Sequence, residues 1–266
     1  MSTSLNIQGA TLMMAAMVAF TINDMFIKLL GSHVPFFQIL SLRSIGATAV
    51  LTLLAWRAGA LRLPDSRTDK VLVIARSLCE MAAAYLFLNA LIHMPIANVS
   101  AILQALPLTV ALGAALFLGE PVGWRRLVAI AVGLFGVLLI VRPGAEEFSV
   151  YSFYALGAVV AVTVRDLAAR RLSSNVKSLS AAYVAAVLIL VFSAMGAMTV
   201  DWVPLVPRDW AWLAGSVATI ICGYLFSVSA MRVGEIGFVA PFRYTSLVVA
   251  IILGVFVFGE WPDRLT

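Results

Sequence analysis

The sequence predicts an all-α integral membrane protein, a ten-helix inverted repeat of five plus five helices with the tenth helix absent from this sequence. Three observations predict this fold: an apolar composition, a series of long uncharged runs, and two similar halves. Of the 266 residues, 62% are hydrophobic and 12% are charged, and the mean hydropathy is +1.03. Soluble proteins average roughly 45–50% apolar and 25% charged residues. The composition therefore predicts a polytopic membrane protein.

The apolar runs set the number of spans, since a membrane-crossing helix needs about 20 mostly apolar residues. The stretch from Met81 to Gly119 contains no Asp, Glu, Lys or Arg and is too long for one crossing. Pro95 cannot continue a helix comfortably, so the turn "HMP" at 93–95 is expected to fold this stretch into two spans. The predicted spans are 9–30, 35–56, 71–92, 96–118, 125–141, 150–169, 179–199, 211–231 and 237–258.

The basic residues predict the orientation, because Lys and Arg are retained on the cytoplasmic side of a membrane. With a cytoplasmic N-terminus, ten of them fall in inner loops and four at outer ends, so we expect this orientation in the cell inner membrane. The inner ten are Arg57, Arg62, Arg67, Lys70, Arg125, Arg126, Arg170, Arg171, Lys177 and Arg232, and the outer four are Lys28, Arg142, Arg208 and Arg264.

Two parts of the chain recur at nearly equal offsets. "AFTINDMFIKLL" matches "AVTVRDLAARRL" at an offset of 142, which aligns Asp24 with Asp166. "IANVSAILQALPLTVALGAALFLGE" matches "IGFVAPFRYTSLVVAIILGVFVFGE" at an offset of 140. Five spans per copy is an odd number, so the second copy enters the membrane from the opposite face, as in many secondary transporters. We assign the repeats to 1–143 and 148–266.

The second copy stops where the first continues into its fifth span. "GEPVGWRR" precedes "LVAIAVGLFGVLLIV" in the first copy, whereas the sequence ends at "GEWPDRLT" in the second. A tenth helix is expected there, which predicts a natural chain about 20 to 30 residues longer.

The layout resembles the drug/metabolite transporter superfamily, specifically its proteins with two EamA-type repeats. The residues that carry the resemblance are "FTINDMFIKLL", Arg43, "ILQALPLTVALGAALFLGEPVGWRRLVAIAVGLFGVLLI" and "APFRYTSLVVAIILGVFVFGE". The resemblance implies ten helices with both termini cytoplasmic and a central cavity formed mainly by helices one to four and six to nine. It also implies a peripheral pair of helices five and ten, which could support a homodimer.

Seven charged residues lie within the predicted spans, where each isolated charge costs about 2.5–3.5 kcal/mol. We therefore expect them to pair or to face water. Arg76 and Glu80 are four residues apart on one helix and can pair directly, either as a structural ion pair or on the wall of a cavity. With Gln104 and Tyr244, the candidate substrate-binding or coupling residues are Asp24, Arg43, Arg76, Glu80, Gln104, Asp166, Arg243 and Tyr244.

The two aspartates of the repeat have different surroundings. Asp24 is expected about 9 Å from the outer end of its span, where a short side chain cannot snorkel. It contacts substrate, couples transport or bonds a neighbouring helix, and Lys28 could neutralise it locally. Asp166 lies only four residues from Arg170 and could be interfacial. Arg165 faces another direction on the helix and is expected to snorkel.

Two prolines predict irregular helices beside candidate site residues. Pro241 leaves a helix carbonyl without a donor, which membrane proteins tolerate where the backbone lines a cavity, and Arg243 follows it by two residues. Arg243 is expected to contact substrate or to anchor at the interface. Pro107 similarly frees the carbonyl of Leu103, next to Gln104, although a kink alone explains it equally well.

These features favour a secondary active transporter of a small polar or amphiphilic metabolite across the inner membrane by alternating access, with proton coupling as a further hypothesis. Alternatives within the resemblance are uptake of S-adenosylmethionine or riboflavin, or export of amino acids. The alternative of another class is a non-transporting accessory membrane subunit. The spans contain no H-E-x-x-H, no G-x-S-x-G and no metal-spaced Cys and His, so we expect no enzyme, no metal and no cofactor. The basic residues form no cluster longer than a pair, which disfavours a nucleic-acid partner.

Overall fold

The chain folds into a bundle of helices. The computed structural model describes residues 3–61, 64–119, 123–141, 149–173, 175–233 and 236–261, and these residues form helices and turns with no strand. The helices are α1 (Thr3–Gly31), α2 (Phe36–Arg57), α3 (Arg67–His93), α4 (Ile96–Leu103), α5 (Leu106–Leu118), α6 (Trp124–Val141), α7 (Tyr151–Arg170), α8 (Ser178–Ala197), α9 (Pro207–Val233), α10 (Ile236–Val239) and α11 (Thr245–Leu253).

Eight helices in the described part of the chain are long and apolar enough to cross a membrane, with α4 and α5 counted as one span. A shorter apolar helix covers Leu127–Val141. The turn expected at "HMP" is present, since α3 ends at His93 and α4 begins at Ile96. The predicted class, an all-α integral membrane protein, is confirmed.

Two spans are irregular where prolines predict it. α4 and α5 are separated by Gln104 and Ala105, and Pro107 lies in the first turn of α5. The last span is a short α10, a 3₁₀ segment over Ala240–Tyr244, α11 and a turn of π-helix over Gly254–Phe258. Pro241 lies in the first turn of the 3₁₀ segment, so the irregular backbone carries Arg243.

The helices pack as two groups. In the first helix group, α1 packs along α9 and against α10, the 3₁₀ segment and α11. α2 lies between the groups, since it packs mainly against α8 and less closely against α9. In the second helix group, α3 packs along α7 and against α8, and α7 also contacts α4 and α5. α2 and α8 meet at the boundary between the groups, as do α4 and α11. α6 packs on α4 and α5.

One end of the bundle is filled by a hydrophobic core. We call this end, where α1 finishes at Gly31 and α2 begins at Phe36, the α1–α2 end, and the opposite end, between Arg57 and Arg67, the α2–α3 end. The core at the α1–α2 end is apolar and almost inaccessible, and we call it the plug. Its buried residues are Ile27, Leu30, Val34, Ile39, Leu40, Leu88, Leu91, Ile96, Leu213 and Ala250.

Candidate functional site

A cavity of about 640 Å³ lies between the two helix groups. Every membrane-spanning element except α6 contributes to its wall. The cavity reaches Leu54, one turn from the end of α2, and Ala182, one turn after the start of α8. At the other end the plug separates it from the α1–α2 end. The cavity therefore extends toward the α2–α3 end of the bundle.

Charged side chains line this cavity although it lies inside an apolar bundle. Four arginines and two carboxylates contribute, which is an excess of two positive charges among the described residues. Such a wall attracts a negatively charged group, because the surrounding low dielectric screens charge weakly. The six residues are Asp24, Arg43, Arg76, Glu80, Arg165 and Arg243.

An ion-pair network joins α3 to α7 across the second helix group. The expected pair within α3 is present, with 3.7 Å between Arg76 Nη2 and Glu80 Oε2. Arg165 Nη1 donates to Glu80 Oε1 at 3.0 Å, and Arg165 Nε donates to Asp166 Oδ1 at 2.8 Å. The expectation that Arg165 snorkels is therefore wrong. Its guanidinium is long enough to bridge two carboxylates, which neutralise it inside the bundle.

The corresponding site on α1 is less complete. Asn23 Nδ2 donates to Asp24 Oδ1 at 3.0 Å, and Arg43 of α2 lines the same cavity. The sequence suggested that Lys28 could neutralise Asp24, but Lys28 pairs with another residue. Its ammonium pairs with Glu260 at 2.9 Å.

Three buried polar atoms near the cavity have no hydrogen-bond partner among the described residues: Arg43 Nε, Arg76 Nη1 and Asn23 Oδ1. All three residues line the cavity, and Asn23 is 2% exposed. Leaving a buried polar group unpaired costs about 1–3 kcal/mol, and more when it is charged. Most such groups in proteins are paired, so an exception calls for a ligand, a water or another conformation that supplies the partner.

The remaining candidates divide into those that line the cavity and those that do not. Gln104 lines it and donates from Nε2 to Ser246 Oγ at 2.9 Å, which joins α4 to α11. Arg243 lines it from the 3₁₀ segment. Asp166 and Tyr244 are not among the described residues of its wall. Asp166 contributes indirectly through Arg165, whereas Tyr244 is 46% exposed.

Arg165 and Asn23 are among the polar residues of the cavity wall that are missing from the candidates suggested by the sequence. Arg165 is next to a candidate aspartate, and Asn23 is next to the other. In both copies of the repeat the residue before the aspartate donates a hydrogen bond to that aspartate. The "ND" and "RD" dipeptides, aligned at an offset of 142, are the signal that could have identified them.

Comparison with known proteins identifies the family to which this chain belongs. The sequence model of the EamA-like transporter family matches residues 7–142 and again residues 150–266. The chain belongs to the EamA-like transporter family.

Named relatives of this chain differ in what they carry. The chain is 25% identical over 262 residues to an S-adenosylmethionine uptake transporter of Rickettsia prowazekii, covering 98% of this chain and 87% of the relative. It is 29% identical over 265 residues to the pseudopaline exporter CntI of Pseudomonas aeruginosa, covering 97% and 90%. It is 30% identical over 174 residues to a riboflavin transporter of Vibrio cholerae, covering 64% and 58%.

A solved structure shares the fold. A protein whose crystal structure carries no functional name matches the whole chain with a TM-score of 0.65 at 20% sequence identity, and 91% of that protein is covered. At this identity the likeness concerns the fold alone. The family and the named relatives show that this chain is a membrane transporter.

Proposed function

We propose that the protein is a secondary active transporter that carries a small polar or amphiphilic metabolite across the inner membrane by alternating access. The observation that carries the proposal is a charged cavity that reaches one end of the bundle and is closed by the plug at the other. A structural scaffold has no need of six charged side chains around an internal space, because each one lowers its stability. A transport path does need them, since a polar substrate must be bound where lipid and apolar side chains would exclude it.

The charge of the cavity wall supports a substrate with a carboxylate or phosphate group, either as an anion or as a zwitterion. Arg165 is already neutralised by Glu80 and Asp166. Arg43 and Arg76 each keep a guanidinium N–H without a partner in the described structure. Arginine donors suit carboxylate and phosphate oxygens, so these two residues are the proposed anion-binding groups. In a zwitterion, Asp24 and the carbonyl oxygen of Asn23 accept hydrogen bonds from the cationic group.

The two copies of the repeat provide the proposed mechanism. In the first helix group, α1 of the first repeat packs along α9 of the second repeat. In the second helix group, α7 of the second repeat packs in the corresponding way along α3 of the first repeat. Gly119 and Gly259, which are 140 positions apart, end corresponding helices with φ of +68°. These relations support inverted repeats at 1–143 and 148–266, although the boundary at 144–147 and Glu120 of the repeated "GE" lie outside the described residues.

With a cytoplasmic N-terminus, as the distribution of basic residues predicts, the α2–α3 end faces the cytoplasm. The cavity is then accessible from inside and the plug closes the outside. A homodimer through α6 stays a prediction. The apolar side chains that α6 exposes are compatible with contact to lipid or to a second copy.

The named relatives supply the substrates to test first. S-adenosylmethionine carries a carboxylate, an ammonium and a sulfonium group, which suits a wall with both arginines and an aspartate. Riboflavin has a flat ring system that Phe20 and Tyr224, both on the cavity wall, could stack against. One relative is named as an exporter and another as an uptake transporter, so uptake and export are both tested.

Proton coupling through Asp24 or Glu80 is part of the proposal, because both carboxylates face the cavity. Asp24→Asn and Glu80→Gln each remove a group that can exchange a proton while keeping its shape. Transport in liposomes is then measured between pH 5 and 8 with and without a pH gradient. The same dependence on pH in wild type and in both variants would rule out these coupling residues.

Ligand binding tests the proposal most simply, since a compound that binds the folded state raises its apparent stability. The purified protein is screened by thermal shift against S-adenosylmethionine, riboflavin and metabolites with carboxylate or phosphate groups. Arg76→Gln and Arg43→Gln should abolish the shift that a hit produces, whereas Arg57→Gln, at the end of α2, should retain it. A hit that is bound equally by all three variants would contradict the assigned site. A protein that co-purifies with an obligatory partner and moves no compound would favour an accessory subunit.

A further inference from the structure

We propose that Lys28 and Glu260 form a staple that holds the α1–α2 end closed by capping two helices of the opposite helix group. Both residues lie outside the cavity wall, at the level of the plug. The inference rests on the proposed alternating access, in which this end has to open during each transport cycle.

The ammonium of Lys28 is fully engaged. It donates to Glu260 Oε1 at 2.9 Å, to the carbonyl oxygen of Leu91 at 3.3 Å and to the carbonyl oxygen of Met94. An ammonium has three donors, and here each one has an acceptor. The side chain is 9% exposed and its charge also lies 5.3 Å from the ring centre of Phe258. Lys28 is therefore held in one place and does not snorkel to the membrane surface.

The two carbonyls that Lys28 binds have lost their usual helix donors. The carbonyl of Leu91 would accept from residue 95 if the helix continued, but Pro95 has no N–H. Met94 is the C-cap of α3, where the helix bonds end. A cation at a helix C-terminus is favourable for the same reason, since the exposed carbonyls carry partial negative charge. Lys28 thus caps α3.

Glu260 caps the start of α4, as Lys28 caps the end of α3. Its Oε2 accepts a hydrogen bond of 2.9 Å from the amide of Ile96, the first residue of α4. The preceding Pro95 is the N-cap and makes no side-chain cap bond, so Glu260 provides the acceptor that the helix start lacks. A carboxylate is favourable at the positive end of the helix.

The arrangement joins the two helix groups and not merely two residues. Lys28 belongs to α1, and Glu260 follows the π-helical turn that ends the last span, so both are part of the first helix group. The three backbone groups that they bind lie at the end of α3 and the start of α4, in the second helix group. Separation of the groups at this end therefore breaks three hydrogen bonds to charged side chains while the ion pair itself can persist.

A cysteine reporter in the plug tests the staple without any substrate. Cys79 and Cys222 are replaced by alanine and Ile39→Cys is introduced, because Ile39 is 2% exposed in the plug of the closed end. The labelling rate with a polar maleimide is measured in detergent on monodisperse protein. Lys28→Gln and Glu260→Gln should each raise the rate at least about fivefold, since hydrogen bonds to charged groups bias a two-state equilibrium strongly.

The matched control is Lys177→Gln. Lys177 also donates to two backbone carbonyls, those of Ala58 and Gly59, at 2.7 and 3.4 Å, but it does so at the α2–α3 end. Its loss should leave the labelling rate of Ile39→Cys unchanged. If Lys28→Gln fails to fold, Glu260→Gln decides alone, because it keeps the shape of the side chain.

The charge-swapped protein Lys28→Glu, Glu260→Lys separates the staple from a simple ion pair. The swap restores the ion pair but places a carboxylate on carbonyls and an ammonium on an amide, so it should leave the plug reactive. Wild-type protection in the swapped protein would overturn the capping role, and unchanged labelling in both single variants would overturn the staple. A failure to find a substrate would leave these results unaffected, so the two proposals fail separately.

Discussion

Arg165 of α7 donates a 3.0 Å hydrogen bond to Glu80 of α3, from a position 85 residues further along the chain. The same guanidinium binds Asp166, and Glu80 in turn lies 3.7 Å from Arg76. Arg165 is thereby neutralised by two carboxylates beside the cavity. Arg76, which keeps one N–H without a partner among the described residues, and the charged groups on α1, α2 and the 3₁₀ segment leave an excess positive charge for a substrate.

Loss of Arg165 should destabilise the protein. Arg165→Gln leaves Glu80 and Asp166 without their main partner, and because the side chains are only partly buried we expect a loss of about 1–2 kcal/mol in the free energy of unfolding. Unfolding in detergent, followed by circular dichroism, measures the loss. The double variant Arg165→Gln, Glu80→Gln should lose less than the sum of the single variants. Strict additivity would show that the contact contributes nothing.

Asn23 should influence substrate binding more than Thr21, which lies on the same wall of the cavity. Asn23→Leu removes both the bond to Asp24 and the unpaired carbonyl, so binding of a substrate with a cationic group should weaken by roughly tenfold or more. Thr21→Val is the matched control, because the Thr21 hydroxyl already donates to the carbonyl of Met17 at 2.8 Å. Titration of the hit compound by calorimetry compares the two. Equal losses in both variants would contradict the role given to Asn23.

The close contact between α1 and α9 depends on Gly223. A Cβ at this position would lie 2.7 Å from the ring of Phe20, which lines the cavity. Gly223→Ala should therefore push the ring into the cavity and weaken binding, with a stability loss of about 1–3 kcal/mol. Gly136→Ala of α6 is the control, because nothing lies within 4 Å of its Cβ position. The two losses are read from thermal unfolding with and without ligand, and equal effects of the two variants would be inconsistent with this packing.

Aspartates in the first turns of α3 and α9 should stabilise the two ends of the bundle to a similar extent. Asp69 accepts hydrogen bonds from the amide and hydroxyl of Ser173 at 3.1 and 2.8 Å. Asp209, 140 positions later, accepts from the amide of Val206 and binds His33 Nε2, both at 3.1 Å. Asp69→Asn and Asp209→Asn should each lower the free energy of unfolding by about 1–2 kcal/mol.

Asp201→Asn serves as the control for both variants, because Asp201 is exposed in the segment before α9. It should change stability by less than about 0.5 kcal/mol. A large loss at one end only would indicate that the two contacts are unrelated.

The sequence predicts the helices and most of the charged wall because both follow from the cost of polarity in lipid. Long apolar runs have to be helical spans, and the charges inside them have to meet each other or water. Asp24, Arg43, Arg76 and Glu80, which this reasoning selects, lie on the cavity wall, and their role in binding or coupling stays a prediction. It also identifies the proline-interrupted turn that carries Arg243.

The contacts that reasoning from the sequence misses depend on the length of long side chains and on distant parts of the chain. Arg165 is 100° around the helix from Asp166, which suggests a different face, but a guanidinium is long enough to return to its neighbour and to α3. Lys28 meets Glu260 because α1 and the end of the last span come together at the plug, which no local pattern specifies. Tyr244 follows Arg243 in sequence yet turns away from the cavity.

The most direct test of the account is whether one residue of the cavity is reached from both sides of the membrane. Ala84→Cys, on the wall of the cavity one turn from Glu80, is introduced into protein without Cys79 and Cys222 and reconstituted in oriented liposomes. A membrane-impermeant maleimide is then applied from either side, with and without substrate. Alternating access predicts labelling from both sides, with substrate changing the two rates in opposite directions. Labelling from one side only, under every condition, would contradict it.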